Sequence, residues 1–143
     1  MTDTDPSTPT EPRGRVLVVA GSDSGGGAGV QADIKTITML GGYAATAITA
    51  LTVQNTMEVQ AVHPAPLAIV EGQIRAVLSD IGADAIKTGM LPDAEVIEAV
   101  AEAVEESALP LILDPVMVAA SGATLVPDEA MTAMRERLAP LSY

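Results

Sequence analysis

The sequence contains no cysteine, has few basic side chains, and lacks any long apolar run. Without cysteine, its 143 residues cannot form disulfide bonds, thiolate metal sites, iron–sulfur clusters or a cysteine nucleophile. Seven Lys and Arg residues stand against 19 Asp and Glu residues, and the formal net charge of −12 disfavours binding to nucleic acid or to anionic membrane surfaces. Every apolar run is far shorter than the roughly 20 residues of a membrane-spanning helix. We therefore expect a soluble, acidic protein of the cytoplasm.

The first residues differ in composition from the rest of the chain. Residues 1–14 are rich in Thr, Pro and Asp and have no large apolar side chain after the first Met. Such a composition is typical of a disordered segment. From residue 15 onward, apolar side chains recur in short groups. We predict a disordered leader over residues 1–14 and one structural unit over residues 15–143.

The pattern of apolar residues in this unit alternates between strand-like and helix-like segments. Short apolar runs without polar alternation predict buried strands at residues 16–20, 44–51, 83–87 and 109–113, and a possible short extended piece at 59–62. Apolar residues at helical spacing predict helices over residues 31–40, 67–80, 93–106 and 127–138. This order predicts an α/β fold in which a parallel sheet carries helices on both faces. Right-handed crossovers would bring the carboxyl ends of the strands to one edge, where α/β proteins bind ligands.

Unusual sequences follow each predicted strand. They are the glycine-rich run 21–29, the polar run 52–56, the tripeptide 88–90 and the run Asp-Pro-Val-Met at 114–117. Because all four would meet at one sheet edge, we predict a binding site there. The glycine run lets backbone N–H groups approach a ligand, just before a helix N-terminus. Its spacing is neither that of a phosphate-binding Walker loop nor that of a dinucleotide fold, and the latter disfavours a nicotinamide-dependent dehydrogenase.

Several polar side chains near these strand ends are candidates for binding, each with a structural alternative. Gln54 and Asn55 offer a donor and an acceptor that fit an aminopyrimidine, or they tie down a long loop. Asp33 faces the site or is a solvated acid in the first helical turn. Asp114 holds a metal or a water, or makes a structural hydrogen bond. Lys87 meets a phosphate or pairs with an acid such as Asp114.

Four motifs in order carry a resemblance to a known family. Residues 20–36 read AGSDSGGGAGVQADIKT, residues 48–56 read ITALTVQNT, residues 87–90 read KTGM, and residues 113–122 read LDPVMVAASG. The chain resembles the hydroxymethylpyrimidine/phosphomethylpyrimidine kinases of thiamine biosynthesis, which belong to the ribokinase-like superfamily. The resemblance extends from about residue 16 to residue 141.

The resemblance implies a kinase that uses ATP and Mg²⁺. The substrate would be 4-amino-5-hydroxymethyl-2-methylpyrimidine, and then its monophosphate. Gln54 would bind the pyrimidine edge, Asp33 would hydrogen-bond the substrate, Thr52 would contribute backbone contacts, and Asp114 would lie near metal and phosphate. The ring pocket would be lined by Gly21, Ala28, Met90 and Val116.

The resemblance also implies that the chain corresponds to the amino-terminal half of the family. The family's catalytic base and anion hole belong to its second half, so we expect no catalytic residue in this chain and no activity of the chain alone. The complete enzyme is expected to be a homodimer. Two alternatives stay open: a non-catalytic pyrimidine-binding or interaction protein, and a pyridoxal kinase of the same superfamily. The pair Gln54-Asn55 favours the pyrimidine, because the pyridoxal branch typically replaces it.

Overall fold

The computed structural model describes residues 11–117 and 126–143, which form one five-stranded sheet with helices on both faces. Most of the expected leader and residues 118–122 of the last motif lie outside the described residues. The strands are β1 (Arg15–Ser22), β2 (Tyr43–Gln54), β3 (Val59–Pro64), β4 (Ala85–Thr88) and β5 (Leu111–Leu113). All four predicted strands are present, and the possible extended piece is β3.

The sheet has the order β3-β2-β1-β4-β5. Strands β2, β1, β4 and β5 are parallel, which confirms the predicted parallel arrangement for the strands that helices connect. Strand β3 differs because it pairs antiparallel with β2. Only a short turn separates β2 from β3, whereas a parallel neighbour needs a crossover of about a dozen residues or more. The sheet is therefore mixed, with its antiparallel strand at one edge.

All four predicted helices are also present. They are α1 (Gly29–Met39), α2 (Leu67–Ala76), α3 (Ala94–Ser107) and α4 (Asp128–Ala133). Helices α2 and α4 each continue into a π-helical turn, at Val77–Ile81 and Met134–Leu138. None of the helices in the described part of the chain is long and apolar enough to cross a membrane.

The side chains of β1 alternate between two apolar cores. Val18 packs with Val30 of α1 on one face of the sheet. Leu17 and Val19 belong to the larger core on the other face, together with residues of α2, α3 and α4. Helix α3 shows how its sequence achieves this packing, since its core-facing positions recur at helical spacing and the Asp93 side chain caps its first turn through Val96 N–H at 2.9 Å.

Strand β2 contains one extra residue relative to β1. Ala20 pairs with Ile48, but Ser22 pairs with Leu51, so two residues of β1 span three of β2. Thr49 and Ala50 are both buried, which breaks the alternation of the strand. Before this β-bulge, the odd-numbered residues of β2 face the larger core. After it, the even-numbered residues lie on that same face of the sheet. Leu51 and Val53 consequently lie exposed, and Thr52 and Gln54 become available to the end of the sheet.

Candidate functional site

The carboxyl ends of the four parallel strands open onto one cavity of about 300 Å³. Every residue predicted at the binding site lines it: Gly21, Ala28, Asp33, Thr52, Gln54, Met90, Asp114 and Val116. The other lining residues are Ser22, Asp23, Gly29, Ala32, Lys87 and Gly89. The structure therefore brings together side chains that the sequence places as far apart as residues 21 and 116.

Asp23 organises the glycine-rich loop between β1 and α1. Its side chain is 6% exposed and accepts hydrogen bonds from the backbone N–H groups of Gly25, Gly27 and Ala28 at 2.7, 2.9 and 2.8 Å. The sequence predicted that the N–H groups of this loop would be open to a ligand. Three of them already have an acceptor within the chain, so the loop serves first as a wall of the cavity that Asp23 holds in place.

Gly29 closes this loop at the start of α1. It has a φ of +57°, and a Cβ there would collide with the carbonyl oxygen of Gly21. Residues with a side chain rarely adopt this φ, so both conformation and space require glycine here. On the cavity side, a Cβ on Gly21 would lie 2.6 Å from Cε of Met90. A larger residue at Gly21 would therefore have to displace the end of the flexible Met90 side chain.

The adjacent carboxamides Gln54 and Asn55 have different roles. The Asn55 Oδ1 atom accepts hydrogen bonds from the N–H groups of Met57 and Glu58 at 2.8 and 3.0 Å. Asn55 therefore stabilises the turn between β2 and β3, the structural alternative considered for it. Gln54 lines the cavity, and among the described residues its side chain has only a long 3.4 Å contact with the Thr52 hydroxyl. Its amide is the one of the two that is available to a ligand.

The backbone around Gln54 is fixed by the glycine loop. The Ser24 hydroxyl donates to Gln54 C=O at 2.7 Å and accepts from Gln54 N–H at 2.9 Å. The Thr52 hydroxyl donates to Ser22 C=O at 2.9 Å. These bonds join the ends of β1 and β2, so the Gln54 amide projects from a rigid frame.

On the opposite side of the cavity, Lys87 binds two carboxylates. Its Nζ atom lies 2.9 Å from Asp33 Oδ2 and 3.2 Å from Asp114 Oδ2. Lys87 and Asp33 are about one fifth exposed and Asp114 about one half. We call these three side chains the ion trio. It joins α1, β4 and the segment after β5, and it confirms the pairing with Asp114 that was one of two alternatives for Lys87.

The described residues do not form a metal site by themselves. Among them, no three acidic or histidine side chains are grouped so that they could hold a metal ion. Mg²⁺ often binds through one or two carboxylates together with substrate phosphates. Asp114, half exposed at the cavity, suits one ligand of a cation that arrives with a nucleotide.

His63 and the ion pair of Arg137 with Glu98 lie outside the cavity. His63, the one histidine of the sequence, is exposed on β3 and pairs with Leu51 across the hairpin. Arg137 forms a bidentate ion pair with Glu98 at 2.7–2.9 Å, which links α3 to the turn after α4. The hydrogen bonds from Arg137 lower the pKa of the Glu98 carboxyl, and those to Glu98 raise the pKa of Arg137.

Comparison with known sequences gives a family match over most of the chain. The family model described as phosphomethylpyrimidine kinase matches residues 23–143. The chain is also 52% identical over 130 residues to the hydroxymethylpyrimidine/phosphomethylpyrimidine kinase of Mycobacterium leprae, covering 90% of this chain and 47% of that protein. The chain spans about half the length of the kinases of that name that it matches.

Solved structures show the same likeness. Phosphomethylpyrimidine kinase from Clostridium difficile is 42% identical with a TM-score of 0.84, covering 90% of this chain and 56% of that one. Pyridoxal kinase from Staphylococcus aureus, in complex with AMP-PCP and pyridoxal, is 40% identical with a TM-score of 0.77, covering 90% of this chain and 45% of that one. The chain is therefore similar in both sequence and fold to part of these two kinases.

Proposed function

The chain belongs to the phosphomethylpyrimidine kinase family, and from this membership and its cavity we propose that it supplies the acceptor-binding half of a pyrimidine kinase. The complete enzyme would use ATP to phosphorylate the hydroxymethyl group of 4-amino-5-hydroxymethyl-2-methylpyrimidine, and then the monophosphate, in thiamine diphosphate biosynthesis. The family match bears out the predicted resemblance, and the structural likeness bears out the predicted ribokinase-like α/β fold.

One observation carries the proposed substrate: the available Gln54 amide faces a small cavity lined by Met90 and Val116. A carboxamide can donate to a ring nitrogen and accept from the neighbouring amino group of an aminopyrimidine, and each bond to a desolvated partner contributes about 1 kcal/mol. The cavity of about 300 Å³ is at the small end of ligand pockets, as suits a single-ring substrate.

We assign the other cavity residues by position. Asp33 would accept a hydrogen bond from the substrate, and the ring would lie between Met90 and Val116 on one side and the backbone of Gly21 and Ala28 on the other. Thr52, tied to Ser22, would contribute its backbone. These roles are supported by the placement of all these residues around one cavity.

Phosphoryl transfer depends mainly on positioning and on stabilising the charge of the transferred group. The described residues supply the acceptor side of this task. We propose that the groups that bind ATP belong to the part of the family that this chain does not span. Mg²⁺ bound with the nucleotide would neutralise phosphate charge, and Asp114 would provide one of its ligands.

Two finer properties are also proposed. We infer a cytoplasmic location from the acidic composition and from the biosynthetic role of the family. We infer a homodimer for the complete enzyme. Its interface is not assigned, but the hairpin of β2 and β3 exposes Leu51, Val53 and Met57.

A pyridoxal kinase is the second candidate function, because the Staphylococcus aureus structure with pyridoxal shares the fold. A binding experiment on the chain distinguishes the candidates. Calorimetry would measure the affinity for 4-amino-5-hydroxymethyl-2-methylpyrimidine and for pyridoxal under identical conditions. We expect saturable binding of the pyrimidine and at least about tenfold weaker binding of pyridoxal. The reverse preference would assign the second function, and failure to bind either would contradict both.

Catalysis is tested separately, by incubating the chain with the pyrimidine and MgATP and looking for the mass of one added phosphate. We expect no such product from this chain and transfer by a relative of full family length. Transfer by the chain alone would show that it already contains the machinery that we assign to the other half.

A further inference from the structure

The ion trio contains a hydrogen-bond donor that has no acceptor among the described residues. A lysine ammonium has three N–H groups. Asp33 and Asp114 each accept one from Lys87, at 2.9 and 3.2 Å, and within the described residues no third acceptor bonds to Nζ. Lys87 is held from two sides while its remaining donor is still open to a ligand in the cavity.

Lys87 also has a particular electrostatic position. Among the described residues that line the cavity, it is the one cationic side chain, beside the carboxylates of Asp23, Asp33 and Asp114. For an anionic group entering this cavity, the Lys87 ammonium is the one point of charge attraction among these described residues, and the adjacent carboxylates of Asp33 and Asp114 offset it. Because Lys87 is only 20% exposed, solvent screens this attraction less than it would screen a surface charge.

The position of Lys87 relative to Gln54 defines a direction for the substrate. Gln54 extends from β2 and Lys87 from β4, with β1 between them in the sheet, so they bound the cavity from two sides. The hydroxymethyl group is carried by the ring carbon next to the amino-bearing carbon. With the amino edge at Gln54, its hydroxyl is the donor left for Asp33, which is paired with Lys87 at 2.9 Å. The hydroxymethyl oxygen, or the phosphate that replaces its proton, would then come close to the free N–H of Lys87.

We propose that Lys87 binds the oxygen substituent of the acceptor and determines the affinity for the monophosphate over the alcohol. This inference rests on the proposed function and extends it to a residue for which the sequence left phosphate binding and acid pairing as alternatives. The two alternatives are compatible, because the pairing with Asp33 and Asp114 fixes the ammonium that receives the phosphate oxygen.

The test compares three ligands that differ only at this substituent: the pyrimidine alcohol, its monophosphate, and 4-amino-2,5-dimethylpyrimidine, which has no oxygen. Calorimetry would measure their binding to the unaltered chain and to Lys87→Gln. We expect Lys87→Gln to lower the affinity for the monophosphate by about tenfold or more, because a hydrogen bond to a charged group is lost. The affinity for the alcohol should fall less, and the affinity for the dimethyl compound should not change. Equal weakening of all three would overturn the proposal and give Lys87 a purely structural role.

A double variant separates donation by Lys87 from simple neutralisation of Asp114. In Lys87→Gln/Asp114→Asn both charges of that contact are removed. We expect the monophosphate to stay weakly bound, because the donor is still missing, and recovery of the original affinity would overturn the proposal. Lys87→Arg keeps the charge and should retain most of the affinity, which guards against misfolding of the glutamine variant. Arg135→Gln, an exposed change of the same charge on the turn after α4, is the matched control and should bind like the unaltered chain.

The outcomes also distinguish this proposal from the proposed function. If the unaltered chain binds the pyrimidines and Lys87→Gln binds all three ligands as tightly, only the role of Lys87 is lost. If the unaltered chain binds none of the three, the pyrimidine assignment fails, and the role of Lys87 fails with it.

Discussion

Two of the cavities that the described residues form differ in character. One is the cavity at the strand ends, of about 300 Å³, and the other is a groove of about 470 Å³ between α2 and α3. The groove is the larger, but its hydroxyl groups bond within their own helices, Ser79 to Ala76 C=O and Ser107 to Val104 C=O. In the cavity, polar groups bond across elements that are distant in the sequence, such as Lys87 with Asp33.

This difference shows that volume is a poor guide to function here. The groove results from two neighbouring helices that fail to fill the space between them. The cavity forms where four strands end and where the glycine loop leads into the start of α1. The polar groups of these elements are fixed relative to one another before any ligand arrives. Such preorganisation is what binding and phosphoryl transfer require.

The largest effect is expected where the cavity wall depends on one buried carboxylate. Asp23→Ala would leave the N–H groups of Gly25, Gly27 and Ala28 without their acceptor. We expect a loss of about 3 kcal/mol in the free energy of unfolding, together with loss of pyrimidine binding, because three hydrogen bonds of about 1 kcal/mol each are lost. Urea denaturation and calorimetry would measure both, and Asp23→Asn should fall between. An unaltered denaturation midpoint would show that the loop does not depend on Asp23.

The next effect separates the adjacent carboxamides. Gln54→Ala should weaken pyrimidine binding by about tenfold, and raise the Michaelis constant of a complete enzyme equally, since about 1.4 kcal/mol of hydrogen bonding is lost. Its matched control is Asn55→Ala, which removes the turn contacts to Met57 and Glu58. We expect Asn55→Ala to lower the free energy of unfolding by about 1 kcal/mol and to affect binding much less. Equal affinity losses in both variants would contradict direct binding of the pyrimidine by the Gln54 amide.

A smaller effect is expected at the helix layer, far from the cavity. Arg137 holds the pKa of Glu98 below its ordinary value of 4.5. The ion pair therefore stabilises the fold at neutral pH, and this contribution is lost as the pH falls through the lowered pKa. Glu98→Gln should lower the melting temperature at pH 7, and only slightly, because the ion pair is partly exposed. Well below pH 4.5 the substitution should have no effect on the melting temperature. Thermal denaturation at both pH values tests this prediction. If the two proteins still differ in melting temperature in acid, the ion pair is not the cause of the difference.

The smallest effect belongs to the groove itself. Ala103→Leu would place a larger apolar side chain in the space between α2 and α3. We expect pyrimidine affinity to stay within about twofold of the unaltered chain, since no bond of the cavity reaches Ala103. A loss of affinity comparable with that of Gln54→Ala would mean that the groove and the cavity are coupled, and the distinction between them would fail.

The sequence predicted these strands and helices well because each strand is a short apolar run and each helix has apolar residues at helical spacing. The sequence also predicted that the site residues converge, because the carboxyl ends of parallel strands lie at one edge of a sheet. The orientation of β3 was not predicted, although the short connection after Gln54 and the turn-forming Asn55 are signals for a hairpin.

Two features of the site depend on contacts that no local pattern reveals. The capping of the glycine loop by Asp23 had a weak local signal, an acid followed by glycine two residues later. In the ion trio, the pairing of Lys87 with Asp114 was one of the predicted alternatives, but the contact of Lys87 with Asp33 was not predicted, because it forms only when α1 packs beside the sheet. The choice between Gln54 and Asn55 was likewise decided by the structure of the turn.

The extra residue of β2 shifts the alternation of side chains between the two faces of the sheet by one position. Before it, the odd-numbered positions hold small side chains against the core, and after it the even-numbered positions hold Thr52 and Gln54 toward the cavity. If β2 paired with β1 without this bulge, so that Ser22 lay opposite Ala50, Leu51 and Val53 would be in register with that face instead. The strand would still read as apolar and would still pair with β1, but its recognition edge would become aliphatic. The specificity of the cavity thus depends on a count of residues as much as on their identity.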